Sequence, residues 1–402
     1  MPAYTIFLLL ESISAFSFPL CFTVYSVYAV TVVQLNPFQL VLVGTVLEAT
    51  AFLFEIPTGI VADLYSRRAS ILLGVLITGA SFLLLGLVPT FGAIILAQII
   101  WGIGYTFTSG ATEAWIADEI GEARANRAYL RASQASQIAG ALGVVVSAAL
   151  ANFFALATPI VVSGAMFVAL GAFLFVAMPE RGFKPAPRAD RATWQKIGDT
   201  FRDGIAMTRK RPILATIFLI GIIFGAASEG FDRLSDAHIL QNFSLPPLGE
   251  LKPIVWFGIL EIAGMLAAAL GAEFVRRRVD THDHARLVRA LSFINAAIVA
   301  GVIAFALAPN FAFALGAFLL AQGARRMNSP LQTAWVNHGL DPQVRATVIS
   351  MRSQMDALGQ IAGGPIVGVI GNIFSIRAAI AFAGMLLAPA LVLYRRTMDE
   401  RR

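Results

Sequence analysis

The sequence is short of charged residues, cysteine and histidine, and each shortage excludes a class of protein. Charged residues make up 13% of the 402 positions and hydrophobic residues 57%, whereas soluble globular chains average about 25% charged residues. The single cysteine, Cys21, cannot form an intramolecular disulfide. The four histidines fall in loops or at the ends of apolar runs, so we expect no metal site, no cofactor and no membrane-embedded enzyme. No glycine-rich stretch ends in Gly-Lys-Ser or Gly-Lys-Thr, which argues against an ATP-driven pump.

Long apolar runs fill most of the chain and predict membrane spans. A helix needs about 20 apolar residues to cross the hydrocarbon core. The first run begins near Met1 without the basic start of a signal peptide, so we expect it to be the first span. Twelve spans are predicted, centred near Ala15, Glu48, Gly79, Gly104, Ala141, Val168, Phe224, Met265, Val299, Gln322, Ala362 and Met385.

Charged residues are distributed unevenly among these spans. Spans 3, 6, 9 and 12 have none in their interiors, so they can face lipid. A charge at the bilayer centre costs roughly 2.5–3.5 kcal/mol, and it is tolerated mainly beside a bundle interior or a watery cavity. The remaining spans are therefore expected to surround something polar, as in a transporter. Their interior charges are Glu11, Glu48, Glu55, Glu113, Glu229, Asp232, Arg233, Glu261, Arg325, Arg326 and Asp356.

Basic residues predict the orientation of the chain and its division into halves. The net charge is +6, but most of the 30 Lys and Arg residues fall in loops on one side, and the loops around Asn36, Pro89, Asn152 and Pro309 carry none. The positive-inside rule places both termini in the cytoplasm, and no nucleic-acid partner is needed. We predict a bundle over 1–178, a cytoplasmic linker over 179–211 and a second bundle over 212–402. Within the linker, an amphipathic helix is predicted from the spacing of Trp194, Ile197, Phe201 and Ile205.

An internal repeat supports two related halves. Three pairs of identical dipeptides recur in both halves: Ala114-Trp115 and Ala334-Trp335, Ser133-Gln134 and Ser353-Gln354, and Leu47-Glu48 and Leu260-Glu261. Two parallel six-helix repeats, with substrate bound near the midplane, form the architecture of a large transporter class. These two tryptophans and Trp256 are expected to lie in the interfacial aromatic belts. In span 11, Gly363 and Gly364 are expected to let helices approach closely.

The loop between spans 2 and 3 carries a family resemblance. It reads Gly59-Ile-Val-Ala-Asp63-Leu-Tyr-Ser-Arg67-Arg68, which resembles the loop signature of the major facilitator superfamily, although Leu64 and Ser66 depart from it. The resemblance implies two pseudo-symmetric six-helix bundles in an all-α polytopic membrane protein. It also implies a cytoplasmic gate at Gly59, Asp63, Arg67, Arg68 and the preceding Glu55. In that gate, Asp63 is expected to meet the start of span 11 near Thr347, steadied by Arg67.

Two further stretches look like a bacterial drug:proton antiporter branch of that superfamily. They are Glu55-Ile-Pro-Thr-Gly59 and the run from Gly110 through Glu113 and Trp115 to Asp118. This resemblance implies export of small molecules in exchange for protons.

Intramembrane carboxylates are the groups that can carry protons. Glu48 lies 11 residues before Gly59, about 16 Å along a helix and so near the midplane. Each of Glu11, Glu48, Glu55, Glu113 and Glu261 is a candidate for proton coupling or substrate binding, with a structural ion pair as the alternative for each. Glu229, Asp232 and Asp356 join this set of candidates.

Adjacent arginines in span 10 offer a different chemistry. Arg325 and Arg326 point about 100° apart on a helix, so at most one can face a central cavity. Asp356 and Glu261 are their expected ion-pair partners. The alternative is that one arginine binds an anionic substrate or triggers deprotonation of a carboxyl group. Arg233 is expected to pair locally with Asp232 or Glu229.

Together these patterns predict a proton-coupled secondary transporter that works by alternating access. It is expected to export amphipathic small molecules, with an anion-importing symporter and a non-transporting receptor as alternatives. Its partners are the lipid bilayer, protons and a small-molecule substrate. We expect a monomer in the bacterial cytoplasmic (inner) membrane.

Overall fold

A computed structural model describes residues 1–185, 202, 212–280, 283–337 and 342–399. Within these residues the fold is helical, and the only β pairing is an isolated bridge between Leu248 and Leu251. The predicted amphipathic linker helix lies outside the described residues. The two described stretches 1–185 and 212–399, interrupted at 281–282 and 338–341, contain the helices below.

Seven helical segments precede the linker. They are α1 (Ala3–Thr31), α2 (Pro37–Leu64), α3 (Arg67–Leu87), α4 (Phe91–Thr108), α5 (Ala111–Ile120), α6 (Glu122–Phe153) and α7 (Ala157–Ala177). Gly110 separates α4 from α5 and adopts a left-handed φ of 69°, which glycine reaches without the steric cost of a Cβ. Together α4 and α5 form one membrane-span candidate, Phe91–Ile120.

Seven further segments follow the linker. They are α8 (Pro212–Asn242), α9 (Ile254–Arg278), α10 (His284–Ala306), α11 (Phe311–Asn337), α12 (Pro342–Ile373), α13 (Ile376–Leu386) and α14 (Ala388–Asp399). Asp283 caps α10, because its side chain accepts a hydrogen bond from the backbone N–H of Arg286. That hydrogen bond lowers the pKa of the Asp283 carboxyl.

The fourteen described segments make up the twelve predicted spans, since α4–α5 and α13–α14 each form one. Ten of these spans are long and apolar enough to cross a membrane. The other two are α11, which carries Arg325 and Arg326, and α12, which carries Arg352 and Asp356. The predicted all-helical, twelve-span fold class is confirmed. The cytoplasmic location of both termini stays a prediction.

The chain divides into two compact units. Unit 1 comprises Met1–Gln34, Val46–Ile197 and Pro247–Ile259, and unit 2 comprises Leu35–Thr45, Gly198–Pro246 and Leu260–Arg402. The predicted bundle boundaries remain a prediction, although α7 ends at Ala177 and α8 begins at Pro212.

Within each unit the helices pack in the same pattern. In unit 1, α1 packs on α6 and α7, and α3 packs on α4 and α7. In unit 2, α8 packs on α12 and α13, and α10 packs on α11, α13 and α14. The correspondence of α1 with α8 and of α6 with α12 gives the two related bundles that the dipeptide repeat predicts.

Glycines allow the tightest of these helix contacts. A Cβ on Gly143 of α6 would collide with the carbonyl oxygen of Phe16 and lie 3.1 Å from its carbon. A similarly tight contact joins α12 and α8 in unit 2, where a Cβ on Gly359 would lie 2.9 Å from the backbone nitrogen of Ala226. Gly363 approaches the same residue, with its Cβ position 2.5 Å from the Ala226 Cα. Backbones therefore meet directly where small residues permit it.

The repeated tryptophans are buried inside their units. Trp115 and Trp335 are 1% and 3% exposed. Nε1 of Trp115 donates a hydrogen bond to the carbonyl oxygen of Pro179 at 2.8 Å. The Trp335 ring packs edge-on against Tyr394, with centroids 5.4 Å apart. Both indoles are thus core residues of their units, and their predicted level at the membrane interface stays a prediction.

We predict that Gly143→Ala lowers the melting temperature of the detergent-purified protein. The new methyl group would overpack the α1–α6 contact, a change that costs about 1–3 kcal/mol. Gly316→Ala is the matched control, because nothing lies within 4 Å of a Cβ at Gly316 and alanine is the better helix former. Thermal unfolding of both variants checks the prediction, and an unchanged Gly143→Ala midpoint would show that the contact is looser than described.

Candidate functional site

Two glutamates face one cavity in unit 1. Glu11 of α1 and Glu113 of α5 line a cavity of about 460 Å³ together with Ser14, Thr108 and Thr112. Glu113 lies in the first turn of α5, which begins directly after the left-handed Gly110. The positive end of a helix dipole favours a carboxylate at such a position. The break between α4 and α5 therefore both creates a helix start inside the span and supplies it with an acidic residue.

Aromatic rings form another wall of the same cavity. Phe18, Trp101, Tyr105 and Phe167 all line it. The Phe18 ring contacts Phe167 and Trp101, at centroid distances of 5.1 and 6.1 Å. Nε1 of Trp101 is buried and has no hydrogen-bond partner among the described residues. Aromatic faces and carboxylates together suit an amphipathic ligand, particularly one with a positive charge.

A second cavity in unit 1 shares the two carboxylates. It measures about 580 Å³ and is lined by Phe7, Glu11, Glu113, Tyr129, Ala132, Ser133, Ser136 and Gln137. The Tyr129 hydroxyl donates a hydrogen bond to the backbone oxygen of Glu113 at 2.8 Å. The Ser136 hydroxyl approaches the backbone oxygen of Glu11 at 3.4 Å. Glu11 and Glu113 thus line both cavities.

Close packing of α2 against α4 brings the residues that flank Glu48 beside the aromatic cavity. The Cβ position of Gly102 lies 2.9 Å from the Cβ of Thr50 and 3.3 Å from the backbone oxygen of Leu47. Gly102 directly follows Trp101, which lines the cavity. Glu48 therefore lies on the part of α2 that packs next to this wall.

The adjacent arginines of α11 in unit 2 are paired with carboxylates. Arg325 donates two hydrogen bonds to Asp232, one of them 2.7 Å from Nη2 to Oδ2. Its guanidinium also lies 5.2 Å from the centroid of the Phe231 ring. Arg326 lies 3.7 Å from Glu261, which confirms one predicted partner. The other expectation is wrong, since Arg325 forms its ion pair with Asp232 of α8 and not with Asp356.

Two remaining carboxylates of unit 2 have local partners. Oε2 of Glu229 lies 3.4 Å from Nε of Arg233 one helical turn later, which confirms the predicted local pair. Glu229 is only 2% exposed, so that ion pair is buried at its acidic end. Asp356 accepts a hydrogen bond from Nε2 of Gln360 at 2.9 Å.

The predicted gate residues lie around the junction of α2 and α3. Gly59 and Asp63 fall in the last turns of α2. Arg67, expected to steady Asp63, forms an ion pair with Asp118 and also donates to the backbone oxygen of Ala114 at 2.8 Å. Arg67 and Arg68 are the first two residues of α3.

Sequence reasoning missed two carboxylates that tie the segment after α7 to other helices. Glu180 of that segment accepts hydrogen bonds from the Ser66 hydroxyl at 2.6 Å and from the backbone N–H of Arg68 at 2.9 Å, at the α2–α3 junction. Glu119 of α5 accepts one from the backbone N–H of Gly182 at 2.7 Å. The available signal was a carboxylate placed directly after span 6, on the side of the membrane that carries the basic pair.

This chain is similar to known proteins in sequence and in fold. The family model of the Major Facilitator Superfamily matches residues 3–353. The chain belongs to this superfamily. It is 23% identical over 366 residues to the uncharacterized MFS-type transporter YxaM of Bacillus subtilis (strain 168), covering 89% of this chain and 86% of YxaM. The chain is therefore a membrane transporter of this superfamily and not an enzyme.

Solved structures of low identity share the fold. The nucleoside transporter NupG superposes with a TM-score of 0.73 at 16% identity, covering 99% of both chains. A peptide transporter POT in complex with sulfate gives a TM-score of 0.74 at 13% identity, covering 99% of this chain and 94% of the other. The human organic anion transporter MFSD10 gives 0.61 at 16% identity, covering 98% of both. Because these proteins transport different ligands, the fold does not select a substrate.

We predict strong energetic coupling between Arg325 and Asp232 in a double-mutant cycle. Arg325→Gln and Asp232→Asn should each lower the melting temperature, because each leaves a charge without its partner. The double variant should recover most of the loss, with a coupling of about 1–3 kcal/mol. The control cycle uses Arg326 and Glu261. Asp232 and Glu261 are similarly exposed, at 43% and 40%, so the two cycles differ mainly in geometry. Arg326 and Glu261 are 3.7 Å apart, beyond hydrogen-bond distance, so a coupling below about 1 kcal/mol is expected. Additive effects at Arg325 and Asp232 would contradict the pairing.

Proposed function

We propose that this transporter couples to protons and exports amphipathic small molecules that are cationic or neutral. The observation that carries this proposal is the pair of glutamates, Glu11 and Glu113, in a cavity with an aromatic wall. Alternating access presents that cavity to one side of the membrane at a time. The rings of Phe18, Trp101 and Phe167 would hold the apolar part of a substrate while the carboxylates attract its charge.

Proton coupling needs a carboxyl group that binds a proton on one side and releases it on the other. Glu11 and Glu113 serve this role in the proposal, since a bound proton and a bound cation would compete for the same oxygens. Competition of this kind is what exchange requires, because the substrate leaves when the proton arrives. The second cavity supports the proposal, because it is large enough for water and places Ser133, Ser136 and Gln137 beside both carboxylates.

Glu48 is proposed as a further coupling residue. It lies near the middle of α2, next to Leu47, whose backbone oxygen is 3.3 Å from the Cβ position of Gly102 on α4. A proton on its carboxyl group would change the charge beside the aromatic cavity. Glu229, Asp232, Glu261 and Asp356 are proposed as structural or coupling groups of unit 2.

An organic anion is the second candidate substrate. The observation that favours it is Arg326, whose side chain is 45% exposed and lies 3.7 Å from Glu261, beyond hydrogen-bond distance. Arg325 is less suited, because an anion would have to displace the two hydrogen bonds it makes to Asp232. The organic anion transporter MFSD10 shares the fold, which makes this substrate class worth testing.

We further propose that Gly59, Asp63, Arg67, Arg68 and Glu55 form a gate on the cytoplasmic side. The ion pair of Arg67 with Asp118 supports this role, because it ties the α2–α3 junction to the helix that carries Glu113. A monomer in the bacterial cytoplasmic (inner) membrane, with both termini inside, completes the proposal.

Glu11→Gln and Glu113→Gln are predicted to abolish proton-driven ethidium accumulation in inverted vesicles with an acidic interior. The amide keeps the shape of the side chain but cannot exchange a proton. Glu122→Gln is the matched control, because Glu122 is exposed in the first turn of α6 and lines neither cavity. Wild-type accumulation in both cavity variants would remove this pair from the mechanism.

Exchange of labelled ethidium without a gradient separates coupling from binding. Because the same oxygens bind the substrate cation in this proposal, both variants should also lose exchange of ethidium. Exchange retained within about threefold of wild type would show that the glutamates carry protons but do not bind the substrate. Absence of exchange in the folded wild-type protein would turn the search to anions and to Arg326.

Glu48→Gln is predicted to abolish gradient-driven transport while leaving the melting temperature within a few degrees of wild type. The reason is that glutamine removes the titratable carboxyl group but keeps nearly the same side-chain volume. Ethidium accumulation and thermal unfolding of the same preparation check it. Unchanged coupled flux would exclude Glu48 as a coupling residue.

A further inference from the structure

A basic cavity lies at one end of unit 1, apart from the two acidic cavities. It measures about 400 Å³ and is lined by Pro2, Ala3, Tyr4, Ile120, Arg124, Arg127 and Arg131. Three of its lining residues are arginines, and none is acidic. A net positive cavity of this kind attracts an anion.

The arginines converge because of their spacing on α6. Positions 124, 127 and 131 follow each other by three and four residues, so all three lie on one face of the helix. Arg124, Arg127 and Arg131 are exposed. Among the ion pairs between described residues, none involves any of the three.

The acidic residues next to α6 in the sequence are not paired with these arginines in the described part of the chain. Glu119 accepts hydrogen bonds from the backbone N–H groups of Arg181 and Gly182, at 2.5 and 2.7 Å. Glu122 lies in the first turn of α6 but does not line the cavity. Among the described residues, the cavity lining thus carries three arginines and no carboxylate.

The start of α1 adds to the positive field of this cavity. Pro2 and Ala3 line it, and α1 begins at Ala3 with no side-chain cap. The first backbone N–H groups of a helix lack intrahelical acceptors and carry the positive end of the helix dipole. Phosphate groups bind well at such helix starts, and the planar fork of arginine suits them too.

Apolar and aromatic residues beside the arginines point to a lipid as the source of the anion. Ile120 and Ala3 offer apolar contacts, and Tyr4 has the amphipathic ring found at membrane interfaces. The positive-inside rule already explains why these arginines face the cytoplasm. It does not explain why three of them line one cavity together with a helix start. Basic pockets between transmembrane helices on that side bind lipid head groups.

We propose that this cavity binds the phosphate headgroup of an anionic phospholipid from the inner leaflet. Arg124, Arg127 and Arg131 hold the phosphate oxygens, and Ile120 contacts the lipid beyond the headgroup. The proposal rests on the predicted cytoplasmic location of the N-terminus and is independent of substrate and coupling ion. Lipid bound there joins the start of α1 to the first turns of α6.

Native mass spectrometry of the detergent-purified full chain tests this site. The probes are dioctanoyl phosphatidylglycerol, dioctanoyl phosphatidylcholine and inorganic phosphate. Wild-type protein is expected to bind phosphatidylglycerol in preference to phosphatidylcholine. Each basic residue near an anionic surface strengthens binding about fivefold, so the triple variant R124Q/R127Q/R131Q should bind about 100-fold more weakly.

A charge-matched triple variant, R278Q/R395Q/R396Q, serves as the control. These three arginines are exposed at the ends of α9 and α14 and do not line the basic cavity. The control should keep wild-type affinity within about threefold. The single variant R127Q, expected to bind about fivefold more weakly, provides a second test if the cavity triple fails to fold.

Three outcomes would overturn the proposal. Equal loss in both triple variants would show a general response to surface charge. Unchanged affinity in R124Q/R127Q/R131Q and R127Q would exclude the cavity. Binding of inorganic phosphate as tight as that of the lipid would assign the cavity to a soluble phosphate compound instead.

Discussion

The high cost of an uncompensated charge in hydrocarbon governs the arrangement of this molecule. The two units compensate their intramembrane charges in different ways. Unit 2 neutralises its charges internally, through Arg325 with Asp232, Arg326 with Glu261 and Arg233 with Glu229. Unit 1 instead directs Glu11 and Glu113 into cavities that can hold water or ligand. The candidate site is therefore acidic because no basic residue in the described part of the chain lines the cavities that hold these two glutamates.

Much of the fold is predictable from sequence because the membrane imposes a coarse rule. Each crossing needs a long apolar helix, so spans and their number follow from hydropathy alone. The helix breaks at Gly110 and near Leu387 were not predicted. They do not change the length of the apolar run, and that length is the only signal that hydropathy provides. The repeat was visible as dipeptides around Trp115 and Trp335, although the burial of those rings was not. Burial depends on which helix covers a residue, and hydropathy does not encode that.

The candidate site was harder to predict than the fold. Sequence reasoning identified the charged residues, but ion-pair partners depend on the rotation and register of neighbouring helices. Arg325 illustrates this, since Asp232 on α8 was closer than the expected Asp356 on α12. The part of the aromatic wall that lies outside α1 was missed for another reason. Trp101 and Phe167 occur in helices rich in apolar residues, where a ring that faces lipid and a ring that lines a cavity have the same sequence signature.

The short helix α5 has a mechanical consequence. It contains ten residues and is bounded by Gly110 and Gly121, whose φ angles of 69° and 82° are both left-handed. Glu113 and Asp118 lie five residues apart on it, about 7.5 Å along the axis and on nearly opposite faces. The cavity residue Glu113 and the ion pair of Asp118 with Arg67 are therefore carried by one short helical segment with a positive-φ glycine at each end. Any displacement of this segment as a unit would move both.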